Sequence, residues 1–226
     1  MSTLSETEVR IPVGDAEVSG LLIAPASARA CYVLAHGAGV GMRHSFMSAV
    51  ASGLSERGIA TLRYQFPYME RGSRRPDSPK AAQAAVRAAV GKARELLPDL
   101  ELVAGGKSYG ARMTSQAQAE APLDGVRGLA FLGFPLHAPG QPSDSRAKHL
   151  ARVEVPMLFL QGWHDDFADL AHLTPLVQRL GARARLKLFD DADHSFHVPA
   201  KSGRTDADVM TELLDGLAAW IETVTA

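Results

Sequence analysis

A serine between two glycines carries the first chemical signal in this chain. Gly106-Lys107-Ser108-Tyr109-Gly110 spells G-x-S-x-G, directly after the apolar run Leu102-Val103-Ala104 and before Ala111-Arg112-Met113, which opens a helix-like stretch. A nucleophile on a tight strand-to-helix turn has a strained backbone, and the residues two before and two after it must be small for the turn to close. Its hydroxyl then projects above the sheet at the positive end of a helix, which favours developing negative charge. The competing reading is a glycine-rich phosphate turn. The GxGxxG spacing is absent, and although Gly106-Lys107-Ser108 spells Gly-Lys-Ser, the position of the first P-loop glycine is Glu101.

A serine hydroxyl is a poor nucleophile until a base takes its proton. Asp193-His194-Ser195-Phe196 follows a strand-like run that ends at Phe189, so His194 is the expected base, with His197 as its competitor. The third member must be a buried carboxylate that orients the imidazole. Asp165 and Asp166 both stand where it is needed, after the apolar run 157–161; the other reading is that they cap the next helix. An oxyanion hole needs two backbone N–H donors aimed at one point. Tyr109, the residue after the nucleophile, supplies one, and Ala38 in His36-Gly37-Ala38-Gly39 the other. His36 itself reads as structural, bonded under its loop.

These residues need a frame. Val9, Ile11 and Val13 alternate with polar residues, Gly14-Asp15 makes a turn, and 18–24 returns, an antiparallel hairpin. Apolar runs at 31–35, 59–64, 101–104, 128–134 and 155–161, and an alternating one at 184–189, predict further strands. Helices are predicted at 45–57, from Ser78-Pro79 to about 97, 108–120, 170–180 and from about 206 to the end. This alternation predicts an α/β fold, a mostly parallel twisted sheet with helices on both faces. Reactive groups then gather at the carboxyl ends of strands. Residues 65–77, with Arg71, Arg74 and Arg75, and 136–153, with two prolines and several charges, are the long loops. The arginines are candidate contacts for a substrate carboxylate or phosphate, against the plainer reading of a solvated loop paired with Glu70 and Asp77.

Composition narrows the classes. The 226 residues suit one domain, 1–226, and 46% hydrophobic residues are enough to build a core. Lys+Arg 24 against Asp+Glu 25 gives a net charge of -1, which calls for neither nucleic acid nor an anionic membrane as partner. The single cysteine, Cys31, excludes an internal disulfide and any CxxC site. No HExxH occurs among the eight histidines, and neither a metal nor a cofactor is expected. The N-terminus lacks the basic start and apolar core of a signal peptide, and no apolar run approaches a membrane span, so a soluble cytoplasmic protein is expected.

With these residues assembled, the sequence resembles the α/β-hydrolase family over essentially its whole length. His36-Gly37-Ala38-Gly39, Gly106-Lys107-Ser108-Tyr109-Gly110 and Asp193-His194-Ser195-Phe196 match its motifs in order. Leu160-Gln161-Gly162-Trp163-His164-Asp165 matches its strand-Gly-x-x-Asp pattern, and this places the acid at Asp165. The chain is most similar to the small dienelactone-hydrolase-like branch. Its Gly-Lys-Ser elbow, Phe66-Pro67-Tyr68 and Gly133-Phe134-Pro135-Leu136-His137 are similar to a compact subgroup of undefined substrate. Dienelactone hydrolases proper use cysteine where Ser108 stands, which favours general ester chemistry over lactone cleavage. The interval 134–155 is too short for a substantial cap domain, so the resemblance implies an open site. The expectation is a serine hydrolase acting on a small acyl substrate. A non-catalytic scaffold and a small serine peptidase are the alternatives.

Overall fold

The computed structural model describes residues 5–226. Residues 1–4, part of the expected 1–226 domain and of the N-terminus read as lacking a signal, lie outside the described residues. The hairpin is β1 (Glu6–Val13) and β2 (Ala16–Ile23), joined at Gly14, whose φ of 61° suits the tight turn. Then come β3 (Ala30–Ala35), α1 (Ser45–Ser55), β4 (Ile59–Tyr64), α2 (Pro67–Glu70), α3 (Pro79–Leu96), β5 (Glu101–Lys107), α4 (Tyr109–Glu120), β6 (Val126–Leu132), β7 (Met157–Gly162), α5 (Leu170–Leu180), β8 (Ala184–Phe189) and α6 (Asp206–Thr225).

The strands form one eight-stranded sheet in the order β1-β2-β4-β3-β5-β6-β7-β8, parallel from β4 through β8 and antiparallel at the hairpin edge. Alternation along β3 shows how it is packed. Cys31, Val33 and Ala35 face one hydrophobic cluster with α3, α4 and α5; Ala30, Tyr32 and Leu34 face another with α1 and α6. Both faces of the central strands are therefore dry, which is why their sequences read as unbroken apolar runs.

Two expected loops carry short helical turns. Pro67 at the first helical position starts α2, and a 3₁₀ segment, Ser145–Arg152, buries Ala147 and Leu150 inside the charged stretch 136–153. Strand β5 runs on to Lys107, three residues past its expected end, because parallel partners on both sides pair with Gly105 and Gly106. Strand β7 starts at Met157 rather than 155. Pro156 has no N–H to give a ladder. Strand β6 stops at Leu132, since Gly133 turns to φ 68°. Among the described residues no helix is long and apolar enough to cross a membrane.

Candidate active site

The turn between β5 and α4 shows why the motif is spelled as it is. Ser108 adopts φ 52° and ψ −110°, a region that costs a non-glycine residue about 1–3 kcal/mol. A Cβ at Gly106 would lie 2.2 Å from the Ala35 carbonyl oxygen, and one at Gly110 2.5 Å from the same atom. The two glycines thus let the elbow press against the end of β3 from both sides. The Ser108 N–H donates to the Leu132 carbonyl at 3.1 Å, which fixes the turn to the end of β6.

Three chain-distant side chains meet there. The Ser108 hydroxyl lies 2.9 Å from Nε2 of His194, and Nδ1 of His194 lies 2.7 Å from Oδ2 of Asp165. A carboxylate only accepts, so Nδ1–H donates to Asp165 and Nε2 is left to accept from Ser108. Asp165 sits three residues past β7 and is buried, while His194 sits in the loop after β8. Gln161 donates to Asp165 Oδ2 through its amide nitrogen and accepts the Phe134 N–H at 2.9 Å. The Phe167 N–H donates to Asp165 Oδ1 at 2.8 Å, and the Phe167 ring lies 4.3 Å from the His194 ring centre.

The competing residues sit elsewhere. Asp166 is exposed, and the N-cap of α5 is Asp169. His197 pairs with Asp206 at 3.0 Å on the surface, and this carboxylate raises its pKa. His36 is fully buried: Nδ1 lies 2.7 Å from the Gly37 carbonyl, and Nε2 accepts the Phe66 N–H at 3.1 Å. Burial pushes its pKa down to about 4, so the ring stays neutral and ties the loop after β3 to the start of α2. Neither the Ala38 nor the Tyr109 N–H finds a protein acceptor among the described residues. For Tyr109 this is the ordinary state of a first-turn helix N–H.

Lys107 has a role that sequence reasoning missed. Its ammonium donates to the His194 carbonyl oxygen at 2.6 Å and lies over the Phe46 and Phe196 rings. Burial pushes its pKa down to about 8, against the opposing pull of Asp165 and Asp193. Gln161 was also missed, although a glutamine near the end of an apolar strand is itself a signal of a buried polar duty.

Two cavities share Ser108, Ala38 and Phe167 in their walls. One, of about 330 Å³, is bordered by Val40, Phe46 and Met47; the other, of about 360 Å³, reaches Asp77, Tyr109, Arg112 and Arg146. The three loop arginines line neither. Arg71 pairs with Asp77 at 2.5 Å, as the plainer reading had it, and Arg74 and Arg75 lie on the exposed loop beyond α2.

Comparison with known proteins accords with this fold. The chain superposes on a dienelactone hydrolase from Anabaena variabilis with a TM-score of 0.79 at 21% identity, covering 98% of each chain. It superposes on an α/β serine hydrolase without a lid from Xanthomonas campestris with a TM-score of 0.76 at 21% identity, covering 97% of this chain and 96% of that one. For an esterase domain from Rhodothermus marinus the values are 0.75 and 14%, over 99% of this chain and 100% of that one. At such identities these likenesses establish the fold. The model of the alpha/beta hydrolase domain family matches residues 28–222, and the chain belongs to that family.

Proposed function

We propose that this protein is a serine hydrolase that cleaves an ester or related carbonyl substrate through an acyl-enzyme. The observation that carries this reading is the continuous hydrogen-bonded line from Ser108 through His194 to Asp165 at a strained turn. In the first half-reaction the Ser108 oxygen attacks the carbonyl carbon while its proton passes to His194 Nε2. Asp165 stabilises the imidazolium and holds its orientation. The negative oxygen of the tetrahedral intermediate accepts from the Ala38 and Tyr109 N–H groups. As the intermediate collapses, the carbon–oxygen bond to the leaving group breaks and the leaving alkoxide takes the proton from His194. Water then repeats the attack on the acyl-serine, with His194 as base, and releases the acid and free Ser108.

Each supporting residue has a place in this cycle. Gln161 and the Phe167 N–H donate to Asp165 beside His194 and hold its carboxylate in place. His36 holds the loop that carries Ala38. The test is a screen of purified protein over esters, thioesters, lactones and peptides, with Ser108→Ala as the blank. It is combined with mass-spectrometric mapping of an uncharged fluorophosphonate label. The expected outcome is turnover of at least one ester and a label on Ser108. A label of equal strength on the Ser108→Ala protein would remove Ser108 from the role, and an unlabelled wild type would favour a scaffold.

A further inference from the structure

Unpartnered polar atoms gather on one side of Ser108. Seven buried side-chain nitrogen or oxygen atoms among the described residues lack a hydrogen-bond partner, and two that can donate belong to residues lining the 360 Å³ cavity: Tyr109 Oη and Arg112 Nε. Tyr109 is 8% exposed, so its hydroxyl has no alternative in bulk solvent. Buried polar atoms are ordinarily satisfied, and a cluster of exceptions in one cavity marks a place where a ligand completes the set.

Positive side chains outnumber negative ones in that cavity, two guanidiniums to one carboxylate. Arg112 and Arg146 both line it, and neither guanidinium is matched with a carboxylate among the described residues. The cavity's single carboxylate, Asp77, has its Oδ1 paired with Arg71, while its Oδ2 has no partner and opposes an anion on that side. Burial lowers the pKa of Arg112, and the nearby charge of Arg146 lowers it further. His149, in the same 3₁₀ segment as Arg146, is pushed down to about 4 by burial, then by Arg152 and Arg112. Two partly buried guanidiniums side by side are unfavourable unless an anion comes between them. Their planar forks match a carboxylate or phosphate. The neighbouring cavity, bordered by Val40, Phe46 and Met47, offers apolar surface instead.

We propose that the 360 Å³ cavity is an anion subsite, in which Arg112 and Arg146 hold a carboxylate or phosphate group carried by the acyl substrate while the apolar cavity takes its hydrocarbon arm. The proposal rests on the serine-hydrolase reading for its connection to turnover, but not for binding. Tyr109 then serves twice, its N–H toward the oxyanion and its hydroxyl toward the bound anion. The substrate class is an ester with a charged end and an oily end, placed astride Ser108.

The experiment has two arms. In the first, kcat/KM is measured for matched pairs: 4-nitrophenyl hemiglutarate against its methyl ester, with the charge on the acyl side, and 4-acetoxybenzoate against its methyl ester, with the charge on the leaving group. At least one anionic ester is expected to exceed its neutral partner by about ten-fold or more, as a charge-assisted contact provides. That ratio should collapse in Arg112→Gln and in Arg146→Gln. Arg146 lies on a half-buried 3₁₀ segment, so its variant keeps the test usable if Arg112→Gln does not fold. Equal losses on both members of a pair would mean a purely structural role and overturn the proposal. So would neutral esters that are cleaved as well as anionic ones.

In the second arm, calorimetry follows binding of phenyl phosphate and of phenylacetate, which separates phosphate from carboxylate and needs no turnover. Binding of at least one, weakened about ten-fold or more by either substitution, is expected. No binding, with neutral esters still cleaved, overturns the anion subsite and leaves the hydrolase reading intact. Arginine-dependent binding without turnover or label does the reverse.

Discussion

Among the described residues, two serine–histidine contacts have nearly the same length. Ser108 lies 2.9 Å from Nε2 of His194, and Ser115, two turns along α4, lies 2.8 Å from Nε2 of His149. Distance does not separate them; surroundings do. Behind His194 stands Asp165, whereas around His149 stand Arg152 and Arg112. Burial and those two guanidiniums push His149 down to about 4, so it is a base that refuses the proton a nucleophile must surrender. The backbone differs as well. Ser108 occupies a strained turn beside uncommitted N–H groups, while Ser115 lies within a helix and gives its own hydroxyl to the Arg112 carbonyl at 3.0 Å. A hydroxyl near an imidazole becomes reactive only when the charge behind the ring and the donors in front of it are both of the right sign.

The largest expected effect breaks the comparison at its two serines. Ser108→Ala should lower ester turnover by about 10⁴-fold or more and abolish fluorophosphonate labelling. Ser115→Ala should keep the label, read by the same intact-mass assay. If Ser115→Ala also loses it, the two contacts are not different in kind. The next effect is a conversion. Asp165→Asn removes the negative charge from behind His194 and makes the first contact resemble the second. Turnover should fall by about 10³–10⁴-fold, with the fold kept as judged by circular dichroism. A loss below ten-fold would show that Asp165 is not the orienting acid.

Why one contact stood out in the sequence and the other did not has a physical answer. The elbow is local: Gly106, Ser108 and Gly110 lie within five residues, and the steric demand of Ala35 on both glycines makes their spacing readable. His194 and Asp165 follow strands, and parallel topology sends strand ends to one side of the sheet. The residues around them came from places no spacing rule connects. Lys107 reaches a backbone carbonyl 87 positions away, and Arg112 and Arg146 meet at one cavity only because a 3₁₀ segment folds over α4. The short helices in the two long loops stayed hidden for a related reason, since four and eight residues carry too little periodicity to detect.

Lys107 sharpens the comparison from a third direction, because a cation holds the carbonyl of His194 itself. Its bond to the His194 carbonyl is charge-assisted, and Lys107→Met should lower kcat by about ten-fold. The pH dependence carries a sign that identifies the cause. With its pKa pushed down to about 8, Lys107 loses its charge as pH rises through that value, so wild-type kcat should fall there and the Lys107→Met profile should lack that limb. Stability should move the other way. Between about 8 and the ordinary lysine value of 10.5 the unfolded chain binds the proton more readily than the folded one, so the folded state gains stability with rising pH. Activity and melting temperature measured together over pH 7–9 should therefore diverge in the wild type, below the range in which buried Cys31 and the buried tyrosines, whose pKa values burial raises, take stability away.

The smallest effect tests the field around His149. Its folded pKa, about 4, lies below the ordinary histidine value of 6.5, so the unfolded chain takes up a proton first as pH falls. The folded protein should thus lose stability between about 6.5 and 4. His149→Gln removes that contribution, on the order of 1–2 kcal/mol for a partly exposed ring, and flattens the acid slope of urea unfolding free energies measured at pH 7 and pH 4.5. Some slope must survive, because His36 is also held near 4 by burial and titrates in the same direction. Arg152→Met offers the finer reading: with one guanidinium gone, His149 should protonate more readily, and the acid slope should shrink without the ring being touched. Identical slopes in wild type and both variants would mean that charge sign does not distinguish the two serine–histidine contacts, leaving backbone strain as the difference that matters.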